Sequence, residues 1–219
     1  MNKRVAFAVL VLLVLTSGAA AQVKSTLELF DENISAELEK LYFVPEINRN
    51  LQIVFTVSGY GDSSKSRKER IAAGFLVSLI KKSAEKNKLN YSITKGLGAP
   101  EIQPPYNRIR LSVNKMEVSY PGFAKRKFLG EKTIKRKIIA DITAVISLSD
   151  SVSYTPTVII AERTDEIDYD DLPNVETPDY SFTTAEPPPL SEFETVIFPA
   201  ILVLISAAAI VLFFTIRSK

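Results

Sequence analysis

The chain contains no cysteine, no histidine and no tryptophan. Without His or Cys, zinc sites of the usual kind are excluded, as are Cys nucleophiles and Ser–His relays. No disulfide reinforces the fold, and no lipid-bearing Cys follows the N-terminal apolar stretch, which excludes a lipoprotein anchor. The missing His also removes the commonest general base. Glu28, Glu37, Glu39 and Glu85 fall on helix faces predicted to be solvated, so no carboxylate pair is assigned to acid–base work. The acidic residues show no EF-hand spacing either. We therefore expect a protein without cofactor or metal that binds rather than catalyses.

Both ends are strongly apolar. Lys3 and Arg4 precede an apolar run from Val5 to Leu15, and Ala19-Ala20-Ala21 offers a small-residue cleavage site before Gln22. This is the pattern of a secretory signal, predicted over 1–21; the run is too short to span a bilayer. Val196 to Ile216 is 21 residues without a charge, followed by Arg217-Ser218-Lys219. At 1.5 Å per residue it matches the roughly 30 Å hydrocarbon core. We expect a transmembrane helix over 196–216 and a cytoplasmic tail over 217–219, because basic residues favour the cytoplasmic side. Residues 22–195 then lie outside the cytoplasm, in the periplasm of a bacterial cell.

Charge divides the rest of the chain. Residues 22–163 hold 23 Lys and Arg against 15 Asp and Glu, a net charge of +8. Residues 164–195 hold ten acidic residues, no Lys or Arg, and five prolines. Low hydrophobicity with high charge does not repay ordering entropy, so 164–195 is expected to be an extended acidic tether. Its apolar exceptions, Tyr169, Tyr180 and Phe182, are candidates for docking on the domain or on a partner. The opposite charges suggest that the tether masks a basic face of the domain.

Within 22–163, Leu27, Phe30, Ile34, Leu38 and Leu41 recur at helical spacing, predicting a helix over 25–41. Leu51 to Val57 reads as a strand. Ile71, Phe75 and Leu79, with Ala72, Leu76 and Ile80, predict a helix over 67–86 that opens on a Ser66/Glu69 capping box. Leu89, Tyr91 and Ile93 alternate; so do Ile109, Leu111 and Val113, then Met116, Val118 and Tyr120 in the opposite phase. That slip predicts a β-bulge near Asn114-Lys115. Further strands are expected over 138–148 and 157–161. Strands gathered late in the chain predict an α+β fold with a mostly antiparallel sheet of about five strands, packed with one or two helices.

This element order, over residues 50–162, resembles the small α/β domains of cell-envelope assembly factors of the curli-secretion and penicillin-binding-protein activator type. The acidic segment with Tyr180-Ser181-Phe182 and the Phe213-Phe214 to Arg217-Ser218 ending resemble uncharacterised exported bacterial proteins with one C-terminal anchor. The second resemblance implies no activity.

Two catalytic motifs are echoed and set aside. Gly59 to Ser66 resembles a phosphate-binding loop, but Ser64 stands where the second Gly belongs and Asp62 would repel phosphate. Ser78-x-x-Lys81 and Ser92-x-x-Lys95 match a Ser-Lys nucleophile pattern whose partner Lys-Thr-Gly is missing. The strongest local feature is a basic cluster, Lys125, Arg126, Lys127, Lys132, Lys135, Arg136 and Lys137, interleaved with Phe123 and Phe128 and expected at a protruding hairpin. Outside the cytoplasm its anionic partners would be lipid head groups or envelope polymers rather than nucleic acid; its bland reading is a solvated turn. The leading expectation is a membrane-anchored scaffold or accessory protein of a bacterial envelope complex, acting through a protein partner. The alternative is a module that binds an anionic polymer or lipid through 125–137, and an enzyme comes third.

Overall fold

A computed structural model describes residues 23–48, 50–95, 103, 105–126, 131–148, 155–191 and 193–217. The expected signal segment 1–21, its cleavage site, Lys127 and the last two tail residues lie outside this set. The chain divides into two units, Met1–Ala185 and Glu186–Lys219.

In the first unit, α1 (Thr26–Leu41) starts at Ser25, whose side chain accepts the Glu28 N–H while the Glu28 carboxylate accepts the Ser25 N–H. A reciprocal cap of this kind satisfies two otherwise orphaned donors. The second helix, α2 (Arg67–Lys86), has the expected bounds and the expected cap: Ser66 N–H donates to Glu69 at 2.9 Å and Glu69 N–H to Ser66 Oγ at 3.2 Å. Phe30, Ile34 and Leu38 of α1 and Leu76, Leu79 and Ile80 of α2 are buried as their spacing predicts, whereas Leu27 and Ile71 are only half-buried.

The strands are β1 (Ile53–Val57), β2 (Tyr91–Thr94), β3 (Asn107–Arg126), β4 (Lys132–Leu148) and β5 (Thr155–Asp168), in the spatial order β2-β1-β3-β4-β5. The fold is α+β, but the sheet is mixed rather than mostly antiparallel. β1 pairs in parallel with both β2 and β3; only β3–β4 and β4–β5 are antiparallel. The reason is the placement of α2 between β1 and β2, since a helical crossover is what lets two strands run the same way. Alternate residues of every long strand face the helices. Phe55, Ile109, Leu111, Ile138, Ile142 and Ile159 meet the helical side chains in one core. Each fully buried side chain of this size contributes about 1.5–3 kcal/mol.

The bulge falls where the phase slip puts it: Val113 pairs with Ile142 and Lys115 with Asp141, leaving Asn114 unpaired. Asn114 Nδ2 reaches across to Asp141 Oδ1 (3.0 Å) and Thr143 Oγ1 (2.8 Å), which holds the kink in place.

Residues 164–185 do not form a tether, contrary to the composition argument. β5 runs on from Arg163 to Asp168, a single turn covers Tyr169–Asp171, and the short helix α3 (Leu172–Val175) follows. Residues 176–185 then pack on the domain as a strap. Ile167, Leu172, Val175 and Phe182 are all buried, and the acidic side chains of β5 lie beside the basic half of β4. Local composition counts neither effect, because both partners are distant in sequence.

In the second unit, Glu186 to Ser191 has no regular structure, and a π-turn (Phe193–Ile197) leads into α4 (Phe198–Arg217). The stretch Thr195–Thr215 is long and apolar enough to cross a membrane, with a mean hydropathy of 2.9. Its hydroxyls are satisfied within the helix: Ser206 donates to Leu202 O and Thr215 to Val211 O, each at 2.8 Å. A polar side chain in lipid requires this.

Candidate functional site

Among the described residues the cations of the basic cluster do not share one surface. Strands β3 and β4 stay paired out to Arg126 and Lys132, so most of the cluster lies in a ladder instead of a turn. Arg136 has no exposed surface. Its Nε and Nη2 donate to the two oxygens of Asp165 at 2.9 and 2.5 Å, and its Nη1 donates to Lys24 O at 2.9 Å. Lys137 pairs with Glu162 at 2.7 Å. Lys132 is half-buried, while Lys125 and Lys135 are exposed. The sequence carried a signal for Arg136: it shares a strand face with Ile134 and Ile138, both core residues, so period-2 alternation turns it inward.

The three aromatic exceptions all pack on the first unit. Phe182 sits between Phe30 and Phe75, ring centroids 5.3 Å from each, and Tyr180 lies 5.7 Å from Phe75. Tyr169 stacks on Phe123 at 5.9 Å. Buried Thr183 accepts the Thr177 N–H at 3.1 Å, which folds the strap back on itself. Glu176 ties the strap to β3, accepting the Tyr120 hydroxyl at 2.9 Å and the Ala185 N–H at 3.2 Å. Burial, reinforced by this carboxylate, pushes the Tyr120 hydroxyl well above its usual range.

Between the start of α2, the bulged part of β3 and the strap lies an open cleft of about 500 Å3. Its polar lining includes Ser58, Lys65, Lys68, Asn114, Lys115 and Glu117, and Phe182 closes one side. The loop that resembles a phosphate site forms part of its rim, but its Ser64 and Ser66 donors are engaged by carboxylates of the chain itself. Asp62 accepts both the N–H (2.9 Å) and the hydroxyl (2.6 Å) of Ser64, and Ser66 caps α2. These hydrogen bonds hold the Asp62 and Glu69 carboxyls below their ordinary range. The positive φ of Gly59 (85°) and Gly61 (74°) makes the turn, a conformation that favours glycine. Ser78 donates to Phe75 O at 2.6 Å, and among the described residues no hydrogen bond joins it to a lysine. Among the described residues no group of three or more acidic side chains is placed to hold a metal ion. The cleft thus presents hydrogen-bonding groups and lysines along β3 and the start of α2.

Sequence reasoning missed the cleft because it is assembled from three distant segments. Its sequence traces are the phase slip at Asn114 and the glycine turn at Gly59 and Gly61.

No family model matches the chain, and no curated protein is similar to it. Among solved structures, the chain is similar to a neuraminyllactose-binding hemagglutinin homolog from Helicobacter pylori. The two are 12% identical, with 56% of this chain and 69% of that one covered, at a TM-score of 0.31.

Proposed function

We propose that this chain is a membrane-anchored adaptor of a bacterial envelope complex, whose folded domain lies outside the cytoplasm and recognises a protein partner. The observation that supports the reading is the polar, lysine-bearing cleft beside the bulged part of β3, in a chain whose stretch Thr195–Thr215 is long and apolar enough to cross a membrane. The acidic residues before that helix and Arg217 and Lys219 after it favour a cytoplasmic C-terminus.

Anion binding through the basic cluster is less well supported. Arg136 is buried and committed to Asp165, so it is withdrawn from any such surface, and Lys137 pairs with Glu162. The test is crosslinked affinity purification of the full-length protein from its own membranes, with mass spectrometry of bait and partners. A recurrent stoichiometric partner supports the adaptor reading. Bait alone, with anionic vesicles retained by wild type but not by Lys125→Glu/Lys135→Glu, would replace it with the lipid-binding one.

A further inference from the structure

Beyond Val57 the chain leaves the sheet through Ser58 and Gly59, and among the described residues no strand pairs with β3 on that side past Leu111. The last bond there is from the Ser58 N–H to Leu111 O, at 2.8 Å. The next is from the Val118 N–H to Phe182 O in the strap, at 3.0 Å. Along a strand, alternate residues turn their N–H and C=O to the same side. Asn107 and Leu111 bond toward this side before the bulge and Val118 after it, which assigns Val113 and Met116 to the same set. Both residues line the cleft, and among the described residues no backbone group pairs with either of them there. The open edge from Val113 to Glu117 is about 15 Å long at roughly 3.3 Å per residue, room for four or five extended residues.

We propose that this edge takes up an extended segment of a partner protein as an added strand, with acidic side chains turned toward Lys65, Lys68 and Lys115. The inference rests on the adaptor reading and names the contact through which it works. Two observations select this occupant. First, the strap already uses the same edge: its Phe182 carbonyl accepts from Val118, so an incoming segment would continue an interface the fold contains. Second, the cleft carries three lysines against two carboxylates, Glu69 and Glu117, a net positive lining. Lys68 is exposed and has no ion-pair partner among the described residues. Lys65 and Lys115 hold Glu69 and Glu117 only in exposed pairs, at 3.4 and 2.7 Å. Such pairs are worth little and exchange readily for a better placed carboxylate. The kink at Asn114 makes the edge selective, since a straight strand does not follow it, and an edge bent in this way resists indiscriminate pairing.

The test places a photo-crosslinking phenylalanine analogue at Ser112 of the full-length protein in its own membranes, with the same probe at Thr164 of β5 for comparison. The expected result is a Ser112 adduct to one segment of one partner, rich in Asp and Glu. Its yield should fall about tenfold in Lys65→Glu/Lys68→Glu and in Val113→Pro, as the loss of one or two hydrogen bonds implies. The lysine variants touch only exposed side chains, so they test the proposal even if the proline variant does not fold. Adducts only to lipid or to the strap overturn the inference, as does a partner adduct that ignores these variants. A partner captured from Thr164 but not from Ser112 removes the added strand and leaves the adaptor reading standing. No partner from either position removes both.

Discussion

Arg136 of β4 holds Asp165 of β5 through two parallel hydrogen bonds, and its third contact, to the Lys24 carbonyl, fastens the segment that leads into α1. One guanidinium thus joins three parts of the chain: the basic strand, the acidic strand and the start of the domain. A fully buried arginine is stable only with such a complete set of acceptors, because desolvating an unpaired charge costs several kcal/mol.

Asp165→Ala should therefore destabilise the protein by about 3 kcal/mol or more, since it leaves the buried guanidinium without its counter-charge. Replacing both partners, as Arg136→Met with Asp165→Leu, should recover most of that loss. Urea unfolding of the full-length chain in detergent, followed by tyrosine fluorescence, measures both. A loss below about 0.5 kcal/mol for Asp165→Ala would mean the pair behaves like an exposed one.

Phe182→Ala should cost about 3 kcal/mol, the cost of a cavity among Phe30, Phe75 and Tyr180. Because Phe182 is the buried apolar side chain of 176–185, the local consequence should be the larger one. Limited proteolysis should cut within 176–185 in the variant and spare the wild type. Equal resistance of the two would show that Glu176 and Thr183 hold the strap without the ring.

The difference between what could and could not be read from the sequence follows from range. The cap at Ser66 and Glu69 involves residues three apart, so the bounds of α2 were legible. The bulge at Asn114 leaves a local trace, a change of phase, and was legible too. Parallel pairing of β1 with β2 was implied by the helix between them, but the late run of strands outweighed it. The strap was hidden more deeply. Asp165 and Glu166 look disordering until Arg136 and Lys135 stand opposite them, 29 and 31 positions away in the chain. Likewise the open edge at Val113 and Met116 exists only because β1 is shorter than β3, a relation between elements that no window along the chain contains.

Tyr120 makes the strap sensitive to alkali. Burial first, and the Glu176 carboxylate second, raise its hydroxyl above the ordinary tyrosine value near 10. A folded-state value above the unfolded one means the protonated form is favoured by folding. The resulting stability is complete below about pH 10 and is lost as pH rises toward the folded value. Stability should accordingly decline from about pH 10 upward, with a smaller decline in Tyr120→Phe. That variant should cost about 1 kcal/mol at neutral pH, where it gives up the bond to Glu176. Urea unfolding across the alkaline range measures this, with tyrosinate absorbance reporting ionisation. Equal alkaline slopes for the two proteins would assign the sensitivity to other groups.

The absence of cysteine makes the proposed topology directly measurable, since any thiol introduced is the only one in the chain. Ser191 lies before the apolar helix and Ser218 after it. With the domain outside and the basic tail inside, a membrane-impermeant maleimide added to intact spheroplasts should label Ser191→Cys and not Ser218→Cys. Permeabilisation should then label both. Neither substitution changes a charge, so the basic tail that favours this orientation is left intact. Labelling of Ser218→Cys alone would place the domain in the cytoplasm, and the partner would have to be sought there. Labelling of both in intact spheroplasts would mean that the apolar helix does not span, and the adaptor would lose its anchor.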